Sequence, residues 1–250
     1  MATTVLPNAA APKLRPGRRY DNFFFSAMAV LILATVLFGF ARTYFLAGVF
    51  RAPLPNTLIH IHGAVFTSWV LLLILQTSFV TAGRVDIHRK LGLVGFTLAC
   101  LMVILGVLAA TNALSRNFSP QGSGLDPKTF YTVPMGDMLI FSVLIYFAFR
   151  ARSNPAAHKR LILISTVALM DAAIARWPVP FIQQSNVLSD LCCYAFLLFL
   201  VLYDLWSTGK VHRATISASL FLVVVQQIRV PIGMTGPWQA FASWAQSLAR

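Results

Sequence analysis

The chain carries five histidines, His60, His62, His88, His158 and His212, and three of them open apolar runs beside basic residues: His88-Arg89-Lys90-Leu91, His158-Lys159-Arg160-Leu161 and His212-Arg213. Cations beside an imidazole repel a divalent metal. They suit an anion instead, whether a lipid phosphate or the propionates of a heme whose iron takes the imidazole. From His88, residues Gly92, Gly95, Ala99, Met102 and Gly106 recur on one helical stripe; from His158, Leu161, Ser165, Ala168 and Ala172 share a face. A groove of small residues below a histidine admits a flat macrocycle, and equally admits another helix. His88 and His158 are therefore candidate heme ligands, with Arg89 and Lys159 as candidate propionate contacts. The competing reading is positive-inside anchoring with a histidine at each helix end.

A second set of polar residues lies deep in apolar sequence. In His60-Ile61-His62-Gly63 the two histidines are about 200° apart on a helix, so they cannot chelate one metal unless the helix is broken there. His60 shares its face with Asn56, Gly63 and Thr67, which directs it to a bundle interior; His62 shares its face with Phe66, Trp69 and Leu73, which directs it to packing or the interface. At about 1.5 Å per residue, His60, Asp171 and Arg229 fall roughly 5–13 Å below one membrane surface. An ion facing lipid at that depth costs about 2.5–3.5 kcal/mol on insertion scales, so these groups should face inward and pair. The expectation is an Asp171–Arg229 ion pair with His60, Asn56 and Gln226 nearby, and Asp137, Asp190, Arg42 and Arg176 rimming the entrance. A buried pair that merely fixes helix register is the alternative.

The elements that must position these residues follow from composition. The chain has 250 residues, 58% hydrophobic and 11% charged, with a mean hydropathy of +0.73. That excludes a soluble domain, a disordered chain and a disulfide scaffold, and supplies apolar residues for about seven spans. Seven runs are long enough: 23–45, 56–82, 88–114, 134–149, 156–177, 187–207 and 214–230, giving an all-α polytopic bundle of seven transmembrane helices. Breakers punctuate them, among them Pro53, Gly83, Pro155, Pro178 and Gly209.

The net charge of +13 comes from 20 Lys and Arg against seven acids, every one an Asp. In a soluble protein this excess would point to nucleic acid. Here the cations lie singly or in short clusters between apolar runs, which points to anionic lipid headgroups and not to a nucleic acid. Counted on alternate sides of seven spans, thirteen fall with the N-terminal tail and the even-numbered loops and seven on the other side. The expected orientation is N-terminus in the cytoplasm and C-terminus outside, in a bacterial inner membrane. Residues 1–22 read as a basic, disordered cytoplasmic tail before an uncleaved anchor, because the run after it is too long for a signal peptide. Residues 231–250 read as an interfacial amphipathic helix with Trp238, Phe241, Ala245 and Leu248 on one face. The long 115–133 connection is either a lid over the polar pocket or a surface turn. Cys100, Cys192 and Cys193 lie in apolar runs without ligand spacing and read as packing residues.

Three segments, His60-Ile-His-Gly63, Asp86-Ile-His-Arg-Lys-Leu-Gly92 and His158-Lys-Arg-Leu161, resemble a family of bacterial multi-pass membrane proteins over most of the chain from about Phe23. That family supplies no activity to carry over. The His-Arg helix start also resembles heme-binding helical membrane proteins such as heme A synthase and the transmembrane b-type cytochromes. This second resemblance implies a b-type heme. The chain departs from it, because no span holds two axial histidines half a membrane apart. A bis-histidine site would have to come from two helices, His88 on one and His158 on the other, and a second outer heme lacks an evident second ligand. Three roles stay open: a heme-binding redox protein, a small-solute or ion carrier using the outer pocket, and a non-catalytic assembly protein. Nothing resembles a nucleophile elbow, a phosphate loop or a zinc motif.

Overall fold

In lipid a long apolar run satisfies its backbone groups only by coiling, and the computed structural model follows that rule. It describes residues 20–53, 55–120, 123–183 and 185–249, and contains no strand among them. Residues 1–19 of the expected tail lie outside the described residues. In chain order the helices are α1 (Asp21–Phe40, continued by a π-helical turn over Ala41–Phe45), α2 (Ala47–Phe50), α3 (Thr57–Thr81), α4 (Val85–Ser115), α5 (Pro127–Phe130), α6 (Thr132–Arg150), α7 (Pro155–Val167), α8 (Asp171–Ile174), α9 (Pro180–Gln183), α10 (Asn186–Thr208), α11 (Arg213–Gly233) and α12 (Gly236–Leu248). Six stretches are long and apolar enough to cross a membrane: Asp21–Phe45, Thr57–Thr81, Val85–Ser115, Pro127–Arg150, Val187–Thr208 and Arg213–Gly233. The protein is an all-α, multi-pass integral membrane protein.

The expected fifth span, 156–177, is not one helix. After Val167 the ladder tightens, Leu169 N–H reaching back to Thr166 and Met170 N–H to Val167, before the short α8 begins at Asp171. No Gly or Pro stands at the break. Ser165 and Thr166 both return their hydroxyls to the Ile162 carbonyl (2.8 and 2.9 Å), and such back-bonding bends helices. Trp69 of α3 also donates to the Thr166 hydroxyl at 3.1 Å.

Polar contacts show that this interrupted segment nevertheless joins the two ends of the bundle. At one end, Asp21 of α1 pairs with Lys159 of α7 (2.6 Å) and accepts from the Tyr203 hydroxyl of α10 (2.7 Å). Arg160 pairs with Asp204, which is fully buried and also accepts from the Thr215 hydroxyl (2.6 Å) and the His212 N–H (3.0 Å). Burial, and Arg160 close by, push the His212 imidazole below its usual value, so its Nδ1 remains an acceptor for the Ala214 N–H at 3.1 Å and caps α11. This is the basic end, where the histidine corners lie. At the opposite end Asp171 meets residues of α6, α10 and α11.

The core lies where α1, α6, α7, α10 and α11 meet, around the fully buried Ile32, Phe141, Ile164, Leu200 and Leu222. Helix α3 is peripheral, resting on α1 and α4 with only Trp69 and Val70 buried. Outward apolar side chains such as Leu93, Ile104, Leu198 and Leu220 form the lipid-facing surface. Close approaches need glycine: a Cβ on Gly39 would lie 2.1 Å from the Ala173 carbonyl oxygen of α8, and one on Gly106 would lie 2.1 Å from Met138 Sδ. A methionine sulfur can move, but a backbone carbonyl cannot without shifting α8. Gly39→Ala is therefore expected to cost about 1–3 kcal/mol, read as an earlier thermal transition in detergent, with Gly106→Ala costing less.

Helix α12 caps the end of α4. Gln246 donates to the Leu114 carbonyl and to Asn117 (both 2.8 Å), and Trp238 Nε1 donates to the Lys128 carbonyl at 2.8 Å. Its packed face is Ala242, Ala245 and Gln246. Phe241 and Leu248, expected on one face with Ala245, are exposed, as is Trp244.

Candidate functional site

Helices α1, α3, α4, α6 and α7 diverge at the basic end and leave a cavity of about 610 Å³. This is a volume typical of small-molecule and cofactor sites. Its body is apolar, with Trp69 and Leu72 from α3, Phe96 from α4, Phe149 from α6 and Ile162 from α7. Gly92 and Gly95 form part of the α4 wall, and at Gly95 the absence of a side chain lets Leu72 of α3 approach, a Cβ there lying 3.1 Å from its Cδ2. The polar lining comprises His88, His158, Gln76, Arg89, Arg152 and Lys159, together with Asp21 and other small groups.

His88 and His158 thus face one cavity, from two different helices. Their ring centres are 6.3 Å apart and their planes cross at 83°. Two imidazoles that share one metal ion from opposite sides, with metal–nitrogen bonds of about 2.0–2.1 Å, hold their ring centres roughly 6–6.5 Å apart. His158 Nδ1 lies 2.8 Å from the Ala148 carbonyl, which can only accept, so Nδ1 carries the proton and Nε2 keeps its lone pair. His88 Nδ1 is engaged by the Gln76 side chain. Two imidazoles at one largely apolar cavity are a donor set that could hold a metal-bearing cofactor.

The expected propionate contacts are placed differently. Arg89 is exposed and lines the cavity. Lys159 also lines it, but its ammonium is paired with Asp21 and lies 4.6 Å from the centre of the Phe25 ring. Arg152, in the turn between α6 and α7, lines the cavity too and sits over the Phe149 ring at 4.6 Å. Arg160, read as another anchor, is buried against Asp204. Asp204 was not singled out, although an acid in the last turn of a helix opposes the helix dipole and demands a partner.

At the opposite end the Asp171–Arg229 pair is present at 2.6 Å. Asp137 and Asp190 do not rim an entrance; they bind the same guanidinium directly, at 2.7 and 3.0 Å. All four side chains are buried, and Ser189 donates to Asp171 at 2.5 Å. Three carboxylates thus share one guanidinium. Gln226, one turn before Arg229, is buried with neither amide atom partnered.

His60 and Asn56 make their contacts elsewhere, contrary to the expected pocket. His60 is exposed and bonds Tyr44 at 3.2 Å, and Asn56 donates to Asn112 at 3.0 Å. The helical projection was sound, but α3 is peripheral, so its polar face meets the π-helical turn and the end of α4 instead of α8 and α11. His62 is the more buried of the two histidines, stacked on Phe66 at 4.0 Å with Nδ1 unpartnered. Arg42 stacks over Phe50 and Arg176 over Phe40, and neither forms an ion pair among the described residues. The three cysteines are free thiols, with Cys193 buried and Cys100 exposed.

Compared with protein-family models, with curated proteins and with solved structures, the chain matches none.

Proposed function

We propose that this protein is a membrane redox protein that holds a b-type heme at its basic end, between His88 of α4 and His158 of α7. The observation that carries this reading is the pair of imidazoles at one cavity, 6.3 Å apart at their centres, with His158 Nδ1 held by the Ala148 carbonyl. Engagement of Nδ1 by a second group is the usual way a ligating histidine is held in orientation. When bound, a heme supplies one-electron transfer. The chain's own residues do the rest. His158 is held by the Ala148 carbonyl, Trp69, Phe96 and Phe149 make the body of the cavity apolar, and Arg89 and Arg152 line it as the cations that would meet a bound cofactor's carboxylates. The basic end faces the cytoplasm in this reading, in keeping with the positive-inside rule, and the membrane is a bacterial inner membrane.

The test is the absorption spectrum of the full chain purified from heme-replete cells. A Soret band that shifts on dithionite reduction is expected. No band, either as purified or after incubation with hemin, overturns the reading.

A second reading, carriage of a small solute past the Arg229 cluster, is favoured by one observation: the break in the chain immediately before Asp171, since interrupted helices are a recurring feature of transporter sites. A chain that fails the spectral test leaves this reading standing.

A further inference from the structure

The buried ion clusters at the two ends of the bundle differ in how their charges balance. At the basic end one carboxylate, Asp204, meets one guanidinium, Arg160, and takes two further donors, the Thr215 hydroxyl and the His212 N–H. At the opposite end three carboxylates meet one guanidinium. Asp137 of α6 accepts from Arg229 Nη1 at 2.7 Å, and Asp171 of α8 and Asp190 of α10 accept from its Nη2 at 2.6 and 3.0 Å. Fully ionised, that cluster sets three negative charges against one positive. Arg176 is a second cation within electrostatic reach of Asp171, and counting it still leaves one negative charge in excess. Cys193 and Tyr194 of α10 also face the cluster, and neither has a cationic form. The titratable residues of α1 and α7, namely Asp21, His158, Lys159 and Arg160, lie at the basic end. Buried carboxylates held this close cannot all stay ionised without a matching charge, and a proton on one of them removes the excess. A metal ion is a poorer match, because among the described residues no three carboxylate, histidine or cysteine side chains are arranged to hold one.

A second observation points to the same place. Leu222, Gln226, Arg229 and Gly233 recur at i, i+4, i+7 and i+11 on α11 and are all buried, so Gln226 faces the same side of the bundle as Arg229 and lies one turn from it. Gln226 is 2% exposed, and neither of its amide atoms has a partner. Its oxygen wants a donor, and Arg229 gives its own to the aspartates. A carboxylate supplies only acceptors, whereas a protonated carboxyl supplies an O–H.

We propose that Asp137, Asp171, Asp190 and Arg229 form a proton-binding site, which holds at least one proton at neutral pH and exchanges it with the side of the membrane opposite the basic end. The step is the addition of H⁺ to a carboxylate oxygen, which lowers the negative charge of the cluster by one. The three carboxylate side chains keep 10–11% exposure whereas Asp204 keeps none, so exchange does not require opening the core. The heme reading is independent of this site, since its cavity lies at the other end.

The full chain in detergent, compared with the double variant Asp137→Asn, Asp190→Asn, tests the proposal. The variant is isosteric, keeps acceptors for Arg229 and leaves one acid facing one guanidinium, which needs no proton. Infrared spectra at neutral pH are expected to show the carbonyl stretch of a protonated carboxylic acid in the parent, shifting on exchange into heavy water, and to lack it in the variant. Unfolding gives a second readout. The native cluster holds a proton that the unfolded chain releases, so the unfolding constant of the parent is expected to rise as the pH is raised above neutrality. The rise is up to about tenfold per pH unit for each proton held, and steeper than in the variant. A parent without the carbonyl band, or a band and a pH slope that both persist in the variant, overturns the proposal. So does a parent stabilised more by sodium than by the same concentration of choline, with that difference lost in the variant, because the balancing cation is then an alkali ion.

Discussion

Arg229→Met is expected to lower stability by about 3–5 kcal/mol, the cost of stranding buried charge when one partner is removed. The variant keeps the unbranched stem of the side chain, so much of its packing is retained. What it loses is the guanidinium on which Asp137, Asp171 and Asp190 all converge at 2.6–3.0 Å. These three aspartates come from α6, α8 and α10, so their repulsion acts on every element around the break that follows α7. Unfolding in detergent, followed by helical circular dichroism, provides the measurement. Adding Asp190→Asn to the Arg229→Met background is expected to recover part of the loss, because it removes one of the stranded charges. A loss below about 1 kcal/mol in the single variant would mean that the cluster is not the tie that the geometry describes.

His158→Ala is expected to remove the heme absorbance to background, the largest spectral effect of any single substitution. Its imidazole lines the cavity with Nδ1 held by the Ala148 carbonyl, which orients the ring for ligation. His88→Ala is expected to keep weaker absorbance with the spectrum of a five-coordinate, high-spin iron, since His158 remains. His60→Ala and His62→Ala serve as controls and are expected to leave the spectrum unchanged, His60 being bonded to Tyr44 and His62 stacked on Phe66. Absorbance that survives in the His88→Ala, His158→Ala double variant would place any heme elsewhere.

These expectations differ in how far the sequence could have led to them. The meeting of His88 and His158 was legible, because both open an apolar run beside cations and so enter the bundle at the same end. The Asp171–Arg229 pair was legible too, since two opposite charges at similar depth have little alternative in lipid. The direct part played by Asp137 and Asp190 was not. Depth puts them near Arg229, but only the rotation of α6 and α10 about their axes decides whether they touch it. The break after Val167 escaped notice for a different reason. It is made by Ser165 and Thr166 bonding to Ile162, and neither is a breaker residue. His60 and Asn56 were assigned the correct helix face but the wrong neighbour, because periodicity tells which side chains point together and is silent on what α3 packs against. Arg160 and Asp204 were missed because a cation at a helix start reads as an anchor until its partner is seen.

The electron paramagnetic resonance spectrum of the oxidised, hemin-loaded full chain tests the central claim most directly. Were His88 and His158 to hold one iron with their planes crossed at 83°, that iron would be low-spin with two of its d orbitals nearly degenerate. A low-spin ferric signal of strong anisotropy, lost in His158→Ala, is expected. A purely high-spin signal, or a low-spin signal indifferent to both His88 and His158, would contradict it.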